Sequence, residues 1–111
     1  YDGVTMADLE GFQERYGLNS RLVKRDGALM EEVCRLKGRY GRQIEAIVRH
    51  LQAALPFASP ATRRALDALI RFYETGEDAD RVTYDIAWVE DKDAPVACKL
   101  ESYEATSTYE Q

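Results

Sequence analysis

The stretch "FYETGEDADRVTYDIAWVEDKDAPV", residues 72–96, admits two incompatible readings. Val82, Tyr84, Ile86 and Trp88 alternate with other residues, as on one face of a strand. Asp78 and Asp80 follow Gly76 and can cap a helix, and acidic residues suit a helix's positive end. In that helix Val82, Ile86 and Val89 share one spacing, and Tyr84 and Trp88 form an i, i+4 aromatic pair. Periodicity slightly favours the strand, and the cap favours the helix.

The segment upstream is punctuated more plainly. In "SPATRRALDALIRFYETG" (59–76) Ser59 is a good N-cap, Pro60 fits the first helical position, and Gly76 can take the left-handed conformation past the end. Leu66, Leu69, Ile70 and Tyr73 form one apolar stripe, and Ala61, Ala65, Ala68 and Phe72 a second. Such a helix is sandwiched between neighbours, and the alanines let one of them approach closely. "YGRQIEAIVRHLQAAL" (40–55) reads as an amphipathic helix over 42–55. Its stripe is Ile44, Ile47, Val48, Leu51 and Leu55, with Arg42, Glu45 and Arg49 opposite and Pro56 as the stop. The short link predicts that 42–55 and 60–75 pack antiparallel.

Further upstream, Asp26-Gly27 signals a hairpin turn that would pair Arg21-Leu22-Val23 with Leu29-Met30. Met30, Val33 and Leu36 fit a helix instead, so residues 20–36 read as a short hairpin or a turn running into a helix. "VTMADLEGFQERYG" (4–17) predicts a helix capped by Thr5, with Leu9, Phe12 and Tyr16 at helical spacing and Gly17 at its end. The fold class expected is mainly α. It is a small helical bundle with a short β-hairpin near 20–32 and an irregular C-terminal tail from Ala97.

The chain has 111 residues, which suits one domain with a modest core. It opens on Tyr1 rather than Met, which reads as residues missing upstream or an excised piece. A net charge of −5 argues against a general nucleic-acid binder. Basic residues do cluster at Arg21, Lys24, Arg25 and at Lys37, Arg39, Arg42, which reads as a solvated face. No apolar run approaches the ~20 residues of a membrane span, and no signal-peptide pattern is present. Cys34 and Cys98 have neither CxxC nor metal spacing and read as ordinary thiols of a cytoplasmic protein.

Catalytic chemistry is sparse. His50 is the single histidine and falls on the flank of the 42–55 helix, about 120 degrees from its apolar stripe at ~100 degrees per residue. No serine or cysteine neighbours it in sequence to serve as a nucleophile. The acid pairs Glu31-Glu32, Glu77-Asp78 and Glu90-Asp91 read as surface carboxylates. No metal-ligand set, phosphate loop or dinucleotide motif occurs.

Phe72, Tyr73, Thr75, Gly76, Tyr84, Asp85, Ile86, Ala87, Trp88, Val89, Asp91 and Val96 form an ordered set. Together with "LNSRLVK-DG--MEEV" (18–33), "GRYGRQI" (38–44) and "ALPFA" (54–58), this set resembles the bacterial branch of the dipeptidyl peptidase III family. The similarity spans residues 16–96. It implies that the opening segment is a helix. It also implies that 1–96 is a helical part of the lobe opposite the zinc, in an enzyme that releases dipeptides from peptide N-termini. That family's zinc is held by HExxGH and EExRAE. Neither motif occurs here, so the chain carries no cofactor of its own and should be inactive alone. Peptide substrate is expected only for an intact parent enzyme.

After Val96 the chain departs from the family's strand, which resembles DTINGFIExY, and 97–111 reads as a divergent tail. With three residues deleted, Leu100-Glu101-x-Tyr103 falls on Ile-Glu-x-Tyr, which implies Glu101 and Tyr103 as substrate contacts. The alternative is a stand-alone helical interaction module. In a fragment, one face of the 60–75 helix should lie bare for a partner or a second copy. In a settled module both faces should be covered.

Overall fold

The computed structural model describes residues 3–94. In chain order the elements are α1 (Met6–Leu9), β1 (Ser20–Arg25), β2 (Ala28–Val33), α2 (Gly41–Ala54), α3 (Pro60–Thr75) and α4 (Asp78–Glu90). Short 3-10 turns at Gly17–Asn19 and Leu55–Phe57 precede β1 and follow α2. The fold is mainly α, with one antiparallel hairpin.

The hairpin wins over the helix in 20–36 because its turn is chemically specified. Asp26 and Gly27 both take positive φ, 52° and 78°, as a two-residue turn of the strand-matching hand requires. Val23 then pairs with Met30 and Lys24 with Leu29. Met30 and Val33 therefore do not share a helical face: Met30 is 46% exposed and Val33 only 5%. The adjacent residues Leu22 and Val23 are both buried, so the hairpin is covered on both sides there.

The N-terminal helix is much shorter than the Thr5–Tyr16 spacing predicts. Thr5 caps it in a reciprocal box with Asp8, as expected of an N-cap, but it ends at Leu9. Gly11 turns left-handed at φ 77°. The amides of Arg15 and Tyr16 then donate to the Glu31 carboxylate, at 2.6 and 3.0 Å, instead of to a preceding helical turn.

In the helical layer, α3 lies between α2 and α4. Ser59 Oγ accepts from the Thr62 amide, Pro60 opens α3, and Gly76 closes it at φ 72°. Ile44 and Val48 of α2 pack with Ile70, so the start of α2 meets the end of α3 and the pair is antiparallel. Ile47, assigned to the same stripe, is 40% exposed. The alanine face of α3 takes α4: Ala65 and Leu69 bury Tyr84, with Ala87 and Trp88 packed alongside. Thr62 Oγ1 donates to Asp91 at one end of this pair, and Arg71 pairs with Asp80 at the other.

The opening segment is thus a helix, although Glu77 rather than an aspartate occupies the N-cap position. Asp80 is drawn away by the Thr75 hydroxyl and Arg71. Of its two apolar stripes, Tyr84–Trp88 turns inward. Val82, Ile86 and Val89 remain 43%, 55% and 63% exposed. Among the described residues no helix is long and apolar enough to cross a membrane.

Candidate functional site

The densest set of long-range polar contacts lies where the hairpin meets the α3–α4 corner. Gly76 makes the corner, and its closeness to Val33 brings the end of β2 against it. Asn19 Nδ2 donates to the carbonyls of Cys34 (3.1 Å) and Gly76 (3.4 Å), so one amide joins both ends of the hairpin to the corner. The Leu36 amide donates to the Tyr73 carbonyl at 3.0 Å. Arg35 Nη1 donates to the Thr75 carbonyl and to Tyr16 Oη, at 3.1 and 3.0 Å.

The Tyr16 ring lies near two guanidiniums, Arg35 at 5.1 Å and Arg15 at 5.3 Å from its centroid. Arg15 in turn pairs with Glu77 at 2.6 Å. Beside this cluster is a cleft of about 440 Å³, bordered by Tyr16, Leu18, Asn19, Phe72, Asp78 and Arg81 among others.

The cleft's two arginines are each paired with carboxylates of the chain. Arg81 pairs with Asp78 and Asp85, and Arg15 with Glu77. The structure separates the acid pairs of the sequence. Glu31 holds Ser20 and the 15–16 amides, while Glu32 holds arginines. Glu77 meets Arg15 and Asp78 meets Arg81, and Asp91 accepts from Thr62. Such carboxylates act as clasps rather than as an acid–base pair.

His50 is exposed on α2. The Cys34 thiol is half-buried, and burial pushes its pKa up, away from the thiolate a nucleophile or metal ligand requires. Among the described residues no three His, Cys, Asp or Glu side chains come together to hold a metal ion. The single histidine, His50, does not fit the zinc of the resembled family, which is held by the two histidines of HExxGH and a glutamate of a second motif.

Glu101 and Tyr103, the substrate contacts implied by the resemblance, lie outside the described residues, as do Cys98 and the whole of 97–111. Sequence reasoning marked Thr75 and Gly76, assigned Tyr16 to a helical stripe, and did not mark Arg15 or Arg35. Tyr16 and Glu77 are 61 residues apart, and no local pattern links them. No protein-family model matches the chain, and no curated protein matches it.

Proposed function

We propose that this chain is a structural part of the non-zinc lobe of a dipeptidyl peptidase III-like metallopeptidase and is inactive alone. The intact parent would work in the cytoplasm, with zinc and the peptide-cleaving residues supplied by chain outside this sequence. The observation that carries the reading is where the motif residues fall. Asn19, Tyr73, Thr75 and Gly76 join the hairpin to the α3–α4 corner, and Tyr84 and Trp88 fill the α3–α4 interface. They hold elements together and present no reacting group, as a supporting part of a larger enzyme requires. The test is to translate the DNA that follows the coding sequence in all three frames. HExxGH followed by EExRAE is the expected result; a downstream region without them overturns the reading.

A second reading, a stand-alone interaction module, draws support from α3. Both its apolar faces are covered within the described residues, by α2 on one side and α4 on the other, so the bare face expected of a fragment is not found on α3. A partner or second copy would then meet the outer face of α4, at Val82, Ile86 and Val89. Sedimentation that shows a concentration-dependent dimer, lost on Ile86→Lys, would favour the module. A monomer at all concentrations removes self-association from it.

A further inference from the structure

One residue of the second basic cluster, Arg39, meets two of the first, Arg21 and Arg25, in space. Arg21 lies directly across the hairpin from Glu32 and donates to it through Nε at 2.7 Å. Arg25, four residues further along β1 and on the same face, also pairs with Glu32. Arg39 comes from the loop after β2. Its amide donates to the Val33 carbonyl at 2.8 Å, and its Nη1 reaches Glu32 at 3.1 Å. Three guanidiniums thus share one carboxylate, and among the described residues no second carboxylate pairs with them. Lys24 takes no part, because its ammonium pairs with Asp8.

The guanidiniums retain binding capacity. A guanidinium carries five N–H donors in a fork that matches a carboxylate. Among the described residues, the hydrogen bonds of Arg21 and Arg25 go to Glu32 alone, one from each side chain. Their side chains are 37% and 62% exposed. The strand period places Met30 on the same face as Glu32; Val23 opposite it is buried, and Met30 is 46% exposed at the rim of that covered spot. Tyr40 is 54% exposed, with the Arg39 guanidinium 4.7 Å from its ring centroid.

We infer that this face of the hairpin docks an acidic segment of a partner protein, whose carboxylates bind Arg21 and Arg25 beside Met30 and Tyr40. Arginine, tyrosine and methionine are the residues enriched at protein interfaces. Nucleic acid fits less well. Three guanidiniums around a carboxylate make a point rather than a track along a phosphate backbone.

Hexaglutamate, inorganic phosphate and a short DNA duplex should each be titrated into isotope-labelled chain, at about 50 and 150 mM salt, where screening differs. Hexaglutamate is expected to give saturable shifts at residues 21–32 and at Arg39, weaker at the higher salt. Arg25→Ala should weaken this binding about threefold to tenfold, and Glu32→Gln, which removes the competing carboxylate, should strengthen it by a similar factor. Arg49→Ala, on the exposed face of α2, should change nothing. Arg25→Ala is read alone if Glu32→Gln loses the dispersed hairpin amides. Absence of hairpin shifts, shifts indifferent to Arg25→Ala, equal saturation by inorganic phosphate, or tighter binding of DNA would each overturn the assignment.

Discussion

Gly76 and Val33 approach so closely that a Cβ on the glycine would lie 2.7 Å from Val33 Cγ1. The glycine is also left-handed, at φ 72°, because it ends α3 and starts the turn into α4. Two independent demands, backbone conformation and space, thus fall on one residue. Gly76→Ala is expected to destabilise the fold by on the order of 2–4 kcal/mol, from the left-handed penalty together with overpacking against Val33. Urea denaturation measures it. A loss below about 0.5 kcal/mol, the range of ordinary surface substitutions, would mean that the corner is loose.

Tyr84 and Ile86 distinguish the helix from the strand. A strand would place both on one face. In α4, Tyr84 is 1% exposed and Ile86 55%. Tyr84→Ala should therefore cost roughly 3–5 kcal/mol, the range for a buried aromatic, and Ile86→Ala less than about 1 kcal/mol. Comparable losses at both positions would contradict the helical phase.

Asp8 links the N-terminal cap to the hairpin. The Lys24 ammonium, followed by the Thr5 amide and hydroxyl, lowers its carboxyl from the ordinary 3.8 to about 2. A carboxyl depressed by folding adds stability above its unfolded pKa, and that stability disappears as pH falls through the folded value. The melting temperatures of the wild type and Asp8→Asn should therefore differ at pH 5 and converge between about pH 4 and 2. Curves that stay parallel over that range would show that the Asp8–Lys24 pair contributes nothing in solution.

The chain should neither take up zinc stoichiometrically nor cleave peptides. A catalytic zinc needs three protein ligands and an open position for water, and the single histidine is exposed on α2. Incubation with zinc and a dipeptidyl-naphthylamide is expected to give no turnover above buffer. Hydrolysis abolished by a chelator and by His50→Ala would falsify the reading of the chain as a supporting part.

The elements legible in the sequence are those specified by neighbours. Ser59, Pro60 and Gly76 bound α3 because capping bonds and a left-handed stop involve residues within a turn of one another. Asp26-Gly27 fixes the hairpin for the same reason, and with it the register of two strands. The two apolar stripes of α3 foretold its place between neighbours. Tertiary structure decided what depends on distant partners. Leu9 to Tyr16 had helical spacing, yet the helix stops at Leu9 with Gly11 left-handed, and the amides of Arg15 and Tyr16 go to Glu31 on a strand distant in sequence. In α4 two stripes competed on nearly equal terms. The aromatic one turned inward because the small Ala65 and Ala68 side chains of α3 leave room for Tyr84 and Trp88. The Arg15–Tyr16–Arg35 cluster, and the arrival of Arg39 at Glu32, were beyond any local pattern, although the hairpin register already sets Arg21 opposite Glu32. A charge pairs with whatever lies within a few ångströms in space, and chain order does not state that distance until the hairpin, the corner and the helices have packed.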